Sequence, residues 1–446
     1  MRQVTRRELL GMGLTGGAAA VLAGCTTPGT TSVNAQPVVP AAASGEKVTL
    51  TYWAWLKDLQ KVADIWNAKH PDVQVEVSWI QGGNDGGYQK LYSALAAGGG
   101  PDLAQVEMRT IPEFMLVNGL VDLRRYGIDE HEARFDPTLW SQVSYAGGVY
   151  GVPQDSGPTG LYHRPDLYEQ AGVPVPTTWT QWAEVAPAIR DVGAYIDAFP
   201  LDDTSVFAGH AMQAGATWLR ATEDGWVIDM AGEATLDVAR FFDAAIDDDL
   251  VTTSTNPFTP GWYAAAAHDK IASLVGASWG DALLQSVSGS EGKWRVAPAP
   301  RWDHGYGSSF IGGSTAAVLA NSAHPREAME FAVWMTTSRE GIDAMIEHSG
   351  IGWSPARDYI GASREGPSEY FGGQRYNTEV FQPASKDQNP DWQWWPITQQ
   401  TFNILGDGFR RKATGGTLVD AVVAAEQQTI DVFRQKGLTI RKAEGR

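Results

Sequence analysis

A chain of 446 residues exceeds what one hydrophobic core usually serves, so two domains are expected. Its 52 Asp and Glu outweigh 34 Lys and Arg, and the net charge of −18 argues against nucleic acid or an anionic lipid surface as a partner. A single cysteine, Cys25, excludes an internal disulfide.

In chain order, Arg6 and Arg7 precede Leu9 and Leu10, and an apolar, small-residue run follows from Gly11 to Ala23. A basic start, a short apolar stretch and a small-residue end make residues 1–24 a secretory signal. The run is too short and too rich in Gly and Ala for a membrane span. Leu22-Ala23-Gly24-Cys25 resembles the bacterial lipobox, which implies a lipidated Cys25 and anchoring without a spanning helix. Thr5-Arg6-Arg7-Glu8-Leu9-Leu10 resembles a twin-arginine export signal, with the general secretory route left open. Residues 25–45, rich in Thr, Ser, Pro and Ala, read as a flexible tether.

Val48, Leu50 and Tyr52 alternate as a strand, and Leu59, Val62, Ala63 and Trp66 form a helical stripe that Pro71 stops. Val73, Val75, Val77 and Trp79 alternate again, Tyr88 to Leu95 is a second stripe, and Leu103 to Val106 suits a third strand. Strand–helix–strand–helix–strand predicts a parallel or mixed sheet covered by helices. Further on, Thr178 with Gln181 predicts a capping box opening a helix with Trp179, Trp182, Ala183 and Ala186 on one side. Val238 to Ala245 stripes another, Pro325 opens a helix through Met335, Ser338 is placed to cap the next, and Leu418 to Phe433 is a long amphipathic helix.

These segments also carry a resemblance. Val48 to Trp55 with the helix to Pro71, Gly100-Pro101-Asp102-Leu103, and Asn118-Gly119-Leu120-Val121-Asp122-Leu123 are similar to the family 1 extracellular solute-binding proteins of ABC transporters. So are Tyr150-Gly151-Val152-Pro153 with Gly160-Leu161-Tyr162, and Gly312-Gly313-Ser314, all in the same order across nearly all of residues 46–435. The resemblance implies an α/β, two-lobed periplasmic-binding-protein-like fold of type II, with the ligand in a cleft between hinged lobes. Lobe 1 would hold 46–155 plus 299–352, and lobe 2 would hold 156–298 plus 353–446.

The 18 Trp suggest a sugar site, because flat rings stack on the C–H faces of sugars while acids and amides take the hydroxyls. Trp66, Trp179, Trp182 and Trp334 lie on helical stripes and read as core. Trp53 and Trp55 end the first strand, at the edge where open α/β sheets bind ligands. Trp279, within Gly276-Ala277-Ser278-Trp279-Gly280-Asp281, resembles the family's second-lobe stacking residue. Trp353 lies in a Gly- and Pro-rich turn, and Trp394 and Trp395 cluster with Trp392 before Pro396, which of the three stacks being open. Glu107 and Asp155 resemble hydroxyl-binding acids of the family; Arg109 either joins the site or simply pairs with Glu107. Gly313 and Ser314 resemble a loop that approaches ligand, and Asn84 and Asp85 in Gly82–Gly87 complete the candidates.

No zinc or other metal site is expected, because the 8 His are scattered and no His-Glu-x-x-His or Cys pair occurs. The Gly98–Gly100 run lacks a phosphate loop's Lys and Ser/Thr, and no cofactor or catalytic triad is indicated. The reading is a monomeric extracytoplasmic lipoprotein that captures a mono- or oligosaccharide. It would deliver that sugar to the permease of an ABC importer driven by a separate ATPase. A secreted carbohydrate-active enzyme and a binder of a non-sugar solute such as a polyamine are the alternatives.

Overall fold

The computed structural model describes residues 37–83, 86–222 and 224–443, so the signal segment, Cys25 and Asn84-Asp85 lie outside the described residues. The first sheet has five strands in the order Val73–Trp79, Val48–Ala54, Leu103–Glu107, Ser314–Val318, Val152–Pro153. The first three run parallel, and Ser314–Val318 is antiparallel to both of its neighbours. The helix Leu59–Lys69 covers this sheet with the stripe expected of it: Leu59, Val62, Ala63 and Trp66 are its buried residues. It ends where the His70 N–H bonds back to the Trp66 carbonyl at 3.0 Å and Pro71 follows. Val73–Trp79 departs from the alternation. Of its apolar positions only Val75 is fully buried, and Trp79 stands 61% exposed, because this strand is the sheet's edge.

The second sheet is Thr159–His163 flanked by Ser273–Ala277 and Arg295–Pro298, both antiparallel to it. Its core packs Tyr162, Trp262, Trp294, Phe371 and Phe381 together. The helices Trp179–Asp191, Glu233–Asp247, Thr398–Phe409 and Leu418–Gln435 follow in the chain and pack on one another, Trp179 meeting Phe242 edge-on at 5.7 Å. Each sheet with its helices forms one lobe of a two-lobed α/β fold.

The cap at Thr178 forms as expected: its Oγ1 accepts the Gln181 N–H at 3.1 Å. The reciprocal bond differs, because Gln181 Oε1 accepts from the N–H and Oγ1 of Thr177 rather than Thr178. Thr178→Ala is expected to lower stability by about 1 kcal/mol, read as a reduced urea midpoint at unchanged slope.

The chain passes between the sheets at 154–158, at 299–313 and again near 350–356. These crossings bond to one another: Ser156 N–H donates to the Trp353 carbonyl at 3.1 Å, and Ile311 N–H donates to the Gly157 carbonyl at 3.0 Å. The lobes are therefore joined by a short bundle of paired backbone. Two adjoining cavities lie against it.

Candidate functional site

The two cavities, of about 380 and about 430 Å3, each fall in the range of small-molecule sites and share Glu107, Arg109 and Trp279 in their walls. The wall supplied by the first sheet is polar. Glu107 ends the strand Leu103–Glu107, where its carboxylate accepts the Tyr88 hydroxyl at 2.9 Å and pairs with Arg109 at 2.9 Å. Arg109 thus does both things open to it: it pairs with Glu107 and lines the cavities. Its guanidinium also lies 5.9 Å from the Phe402 ring on the second lobe.

Asp155 and Ser314 meet at the first crossing. The Ser314 N–H donates to Asp155 Oδ1 at 2.5 Å and the Ser314 hydroxyl donates to the same oxygen at 3.0 Å. Burial pushes the Asp155 carboxyl up to about 6; the two Ser314 donors pull against that shift, and the charge of Glu107 adds to it. Gln105 holds the arrangement from behind. Its Nε2 donates to Ser314 Oγ at 3.1 Å, while its Oε1 accepts the N–H groups of Trp55 and Leu56 at 3.1 and 3.2 Å. Trp55, Gly313 and Ser314 line the more polar cavity.

The second lobe supplies aromatic surface. Trp279 follows the strand Ser273–Ala277, and its indole N–H donates to the Ile311 carbonyl at 2.8 Å. All three crossings close on this residue. A Cβ at Gly157 would lie 2.9 Å from its Nε1, one at Gly312 3.3 Å from the same atom, and one at Gly352 2.3 Å from its Cα. Glycine at 157 and 312 leaves room for the ring, and glycine at 352 leaves room for the backbone of the same residue. Asp281, two residues on, fixes the turn through an ion pair with Arg364, which donates to the Ile351 carbonyl at 2.8 Å. Phe258 lies 5.7 Å from the Trp279 ring, and Trp394 meets Phe310 edge-on at 6.0 Å.

Three candidates stand apart from the cavities. Trp353 is buried in the second lobe's core beside Phe381. Trp395 is fully buried and donates to Thr401 Oγ1 at 3.0 Å, and Trp392 is buried with it, so of that cluster Trp394 lines the cavity. Trp53 carries the Lys90 ammonium 4.1 Å above its ring and lines neither cavity. The wealth of Trp mostly serves packing: Trp179, Trp182, Trp218, Trp262, Trp294, Trp392 and Trp395 are among the largest fully buried side chains.

Sequence reasoning missed Gln105, Tyr88, Phe258, Phe310 and Phe402. Gln105 was within reach, since it precedes Glu107 by two and shares its face of the strand. Phe258 sits between Pro257 and Pro260, in the kind of Pro-rich turn whose side chains line clefts. Phe402 gave no local signal, because it lies on a helix whose face toward the cleft depends on packing. Among the described residues no group of three or more His, Cys, Asp or Glu could hold a metal, and no helix is long and apolar enough to cross a membrane.

Comparison with known proteins agrees with this architecture. The chain is 27% identical over 358 residues to a lactose-binding protein of Rhizobium radiobacter, covering 75% of this chain and 81% of that one. The galacto-N-biose/lacto-N-biose I-binding protein of the ABC transporter from Bifidobacterium longum, solved with lacto-N-biose, superposes with a TM-score of 0.79 at 25% identity. That superposition covers 89% of this chain and all of the other. A binding protein from B. animalis subsp. lactis, solved with β-1,6-galactobiose, gives 0.74 at 26% identity, again over 89% of this chain and 100% of that one. The profile of one family, described as bacterial extracellular solute-binding protein, matches residues 49–342, and the chain belongs to that family.

Proposed function

We propose that this protein captures a sugar outside the cytoplasmic membrane and delivers it to the permease of an ABC importer driven by a separate ATPase. The observation that carries this reading is the pairing, at the lobe crossings, of an acid-and-amide wall with aromatic rings. Glu107, Asp155, Gln105 and Ser314 face the cavities from one side, and Trp279 and Trp394 from the other. Carboxylates and amides take sugar hydroxyls while indole faces cover the C–H surface. The named ligands of the three similar proteins, lactose, lacto-N-biose and β-1,6-galactobiose, support a sugar as the guest.

In this reading 46–155 with 299–352 and 156–298 with 353–446 move as two bodies about the crossings and shut on the guest. The work is binding without turnover. The protein acts as a monomer, exported by residues 1–24, held by a diacylglyceryl group on Cys25 and spaced from the membrane by the tether 25–45.

Calorimetry against a panel of mono- and disaccharides tests the reading. Saturable binding to at least one sugar, with that sugar recovered intact, is the expected result. A panel that gives no heat, alongside clear binding of a polyamine or peptide, sinks it.

A further inference from the structure

We infer that Arg364, which lines neither cavity, is a positioning residue for the guest: its guanidinium ties the turn that carries Trp279 to the third crossing. The inference rests on the sugar reading above in one respect, taking Trp279 as the ring on which the guest would stack.

Ser278 and Trp279 lie between the strand Ser273–Ala277 and the short helix Gly280–Leu284. So brief a connection has few backbone bonds to hold it. Ser278 N–H donates to the Pro158 carbonyl at 2.9 Å, and Asp281 N–H donates to the Ser278 carbonyl at 3.3 Å. Side chains from elsewhere supply the rest. The Tyr162 hydroxyl donates to the Ala277 carbonyl at 2.8 Å, and the Tyr376 hydroxyl donates to Asp281 Oδ2 at 2.5 Å. Arg364 donates to the same carboxylate oxygen through Nη1 and to the Ile351 carbonyl through Nη2, the latter at 2.8 Å.

That second bond gives the network its direction. Ile351 precedes Gly352, where a Cβ would lie 2.3 Å from Trp279 Cα, and Trp353, whose carbonyl accepts the Ser156 N–H of the first crossing at 3.1 Å. The far end of Trp279 is held separately, its indole N–H on the Ile311 carbonyl of the second crossing. The residue is fixed at both ends, and Arg364 makes the side-chain link at the backbone end.

Energetics separate this task from stability. The Arg364 and Asp281 side chains are 12% and 2% exposed. For a pair so buried, the cost of leaving water offsets most of the attraction, so the net gain in stability is small. What the guanidinium supplies is geometry: a planar fork with fixed donor directions, bonded to two segments, sets their separation. Lys412 gives the contrast. It is also buried and pairs with Asp243 and Asp247 at 3.0 and 2.8 Å, but both partners lie on the helix Glu233–Asp247 and none of the three lines a cavity.

The test uses the full chain labelled with fluorotryptophan, the Trp279 fluorine line being identified by its loss in Trp279→Phe. Arg364→Lys keeps the charge beside Asp281 and removes the fork. Its melting temperature is expected to stay within about 3 °C of wild type. In the guest-free protein its Trp279 line is expected to move or broaden. By calorimetry against methyl galactoside, methyl glucoside, lactose and maltose, it is expected to bind the preferred sugar at least tenfold more weakly than wild type. Should Arg364→Lys not fold, Arg364→Met combined with Asp281→Asn removes both charges together and is expected to give the same two changes. Lys412→Met is expected to lower the melting temperature while leaving the affinity within twofold and the Trp279 line in place. An unmoved Trp279 line with affinity within twofold of wild type in the Arg364 variant overturns the inference and leaves the sugar reading standing. An equal loss of affinity in Lys412→Met also overturns it, since general loosening would then suffice. A wild type that binds none of these sugars removes the sugar reading, while the fluorine line, read without guest, still decides the positioning.

Discussion

Trp279→Ala is expected to weaken sugar binding by about a hundredfold, equivalent to about 2.7 kcal/mol. Two losses add. The indole lines both cavities, so its removal takes away the ring on which, in the proposed reading, the guest would stack. It also fills the space left by Gly157 and Gly312, and without it those two crossings lose the ring packed between them. Trp279→Phe separates the terms. It keeps a ring but drops the bond to the Ile311 carbonyl, a neutral hydrogen bond worth about 1 kcal/mol of stability, so a lowered melting temperature with a much smaller loss of affinity than for alanine is expected. Calorimetry gives the affinities, and small-angle scattering with and without sugar gives the change in radius of gyration on closure. An alanine variant that binds within threefold of wild type would show that the ring is part of the hinge alone.

The second large effect is on pH. Asp155 has its carboxyl pushed up to about 6, mainly by burial, and the charged groups that face it across the cavity are Glu107 and Arg109. At pH 7.5 it is ionised, and in the proposed reading it would accept sugar hydroxyls as charge-assisted bonds, which are about twice as strong as neutral ones. As pH falls through 6 the carboxylate takes a proton and that advantage goes. Affinity is expected to drop at least tenfold between pH 7.5 and 5.

Stability runs the opposite way for this group. The folded chain holds the proton more tightly than the unfolded one, whose Asp titrates near about 3.9, so the group's burial cost is present above 6 and is relieved as pH falls toward 4. Acidification therefore releases the guest while easing the empty protein. Asp155→Asn mimics the protonated state and still offers Ser314 an acceptor. Its affinity is expected to start at least tenfold low and stay flat with pH, with a raised melting temperature at pH 7.5. A wild-type affinity that does not change across this range would exclude Asp155 from contact with the guest.

The comparison of sequence with structure turns on which signals are local. Leu59, Val62, Ala63 and Trp66 announce a buried helix face because their spacing places them on one side whatever they pack against, and the structure buries those four. The cap at Thr178 is local in the same sense, needing only the next turn. The aromatic candidates were not legible in this way. Trp392, Trp394 and Trp395 share one turn and one chemistry, yet Trp395 is held by Thr401, Trp392 packs on Trp218, and Trp394 reaches the cavity. The helix Thr398–Phe409 takes part in that sorting, its Phe402 ring lying 6.3 Å from Trp394 and 6.2 Å from Trp395.

By itself, then, the order of residues determined the alternation of strands and helices, since periodicity acts over a few residues; the two-lobed class and the candidate acids Glu107 and Asp155 came from the resemblance to a family. Which rings line the cavities, and that Trp279 is wedged against three crossings, were decided only by the tertiary structure. Each depends on segments such as Gly157, Ile311 and Gly352 that are far apart along the chain, and no local pattern records where such segments meet.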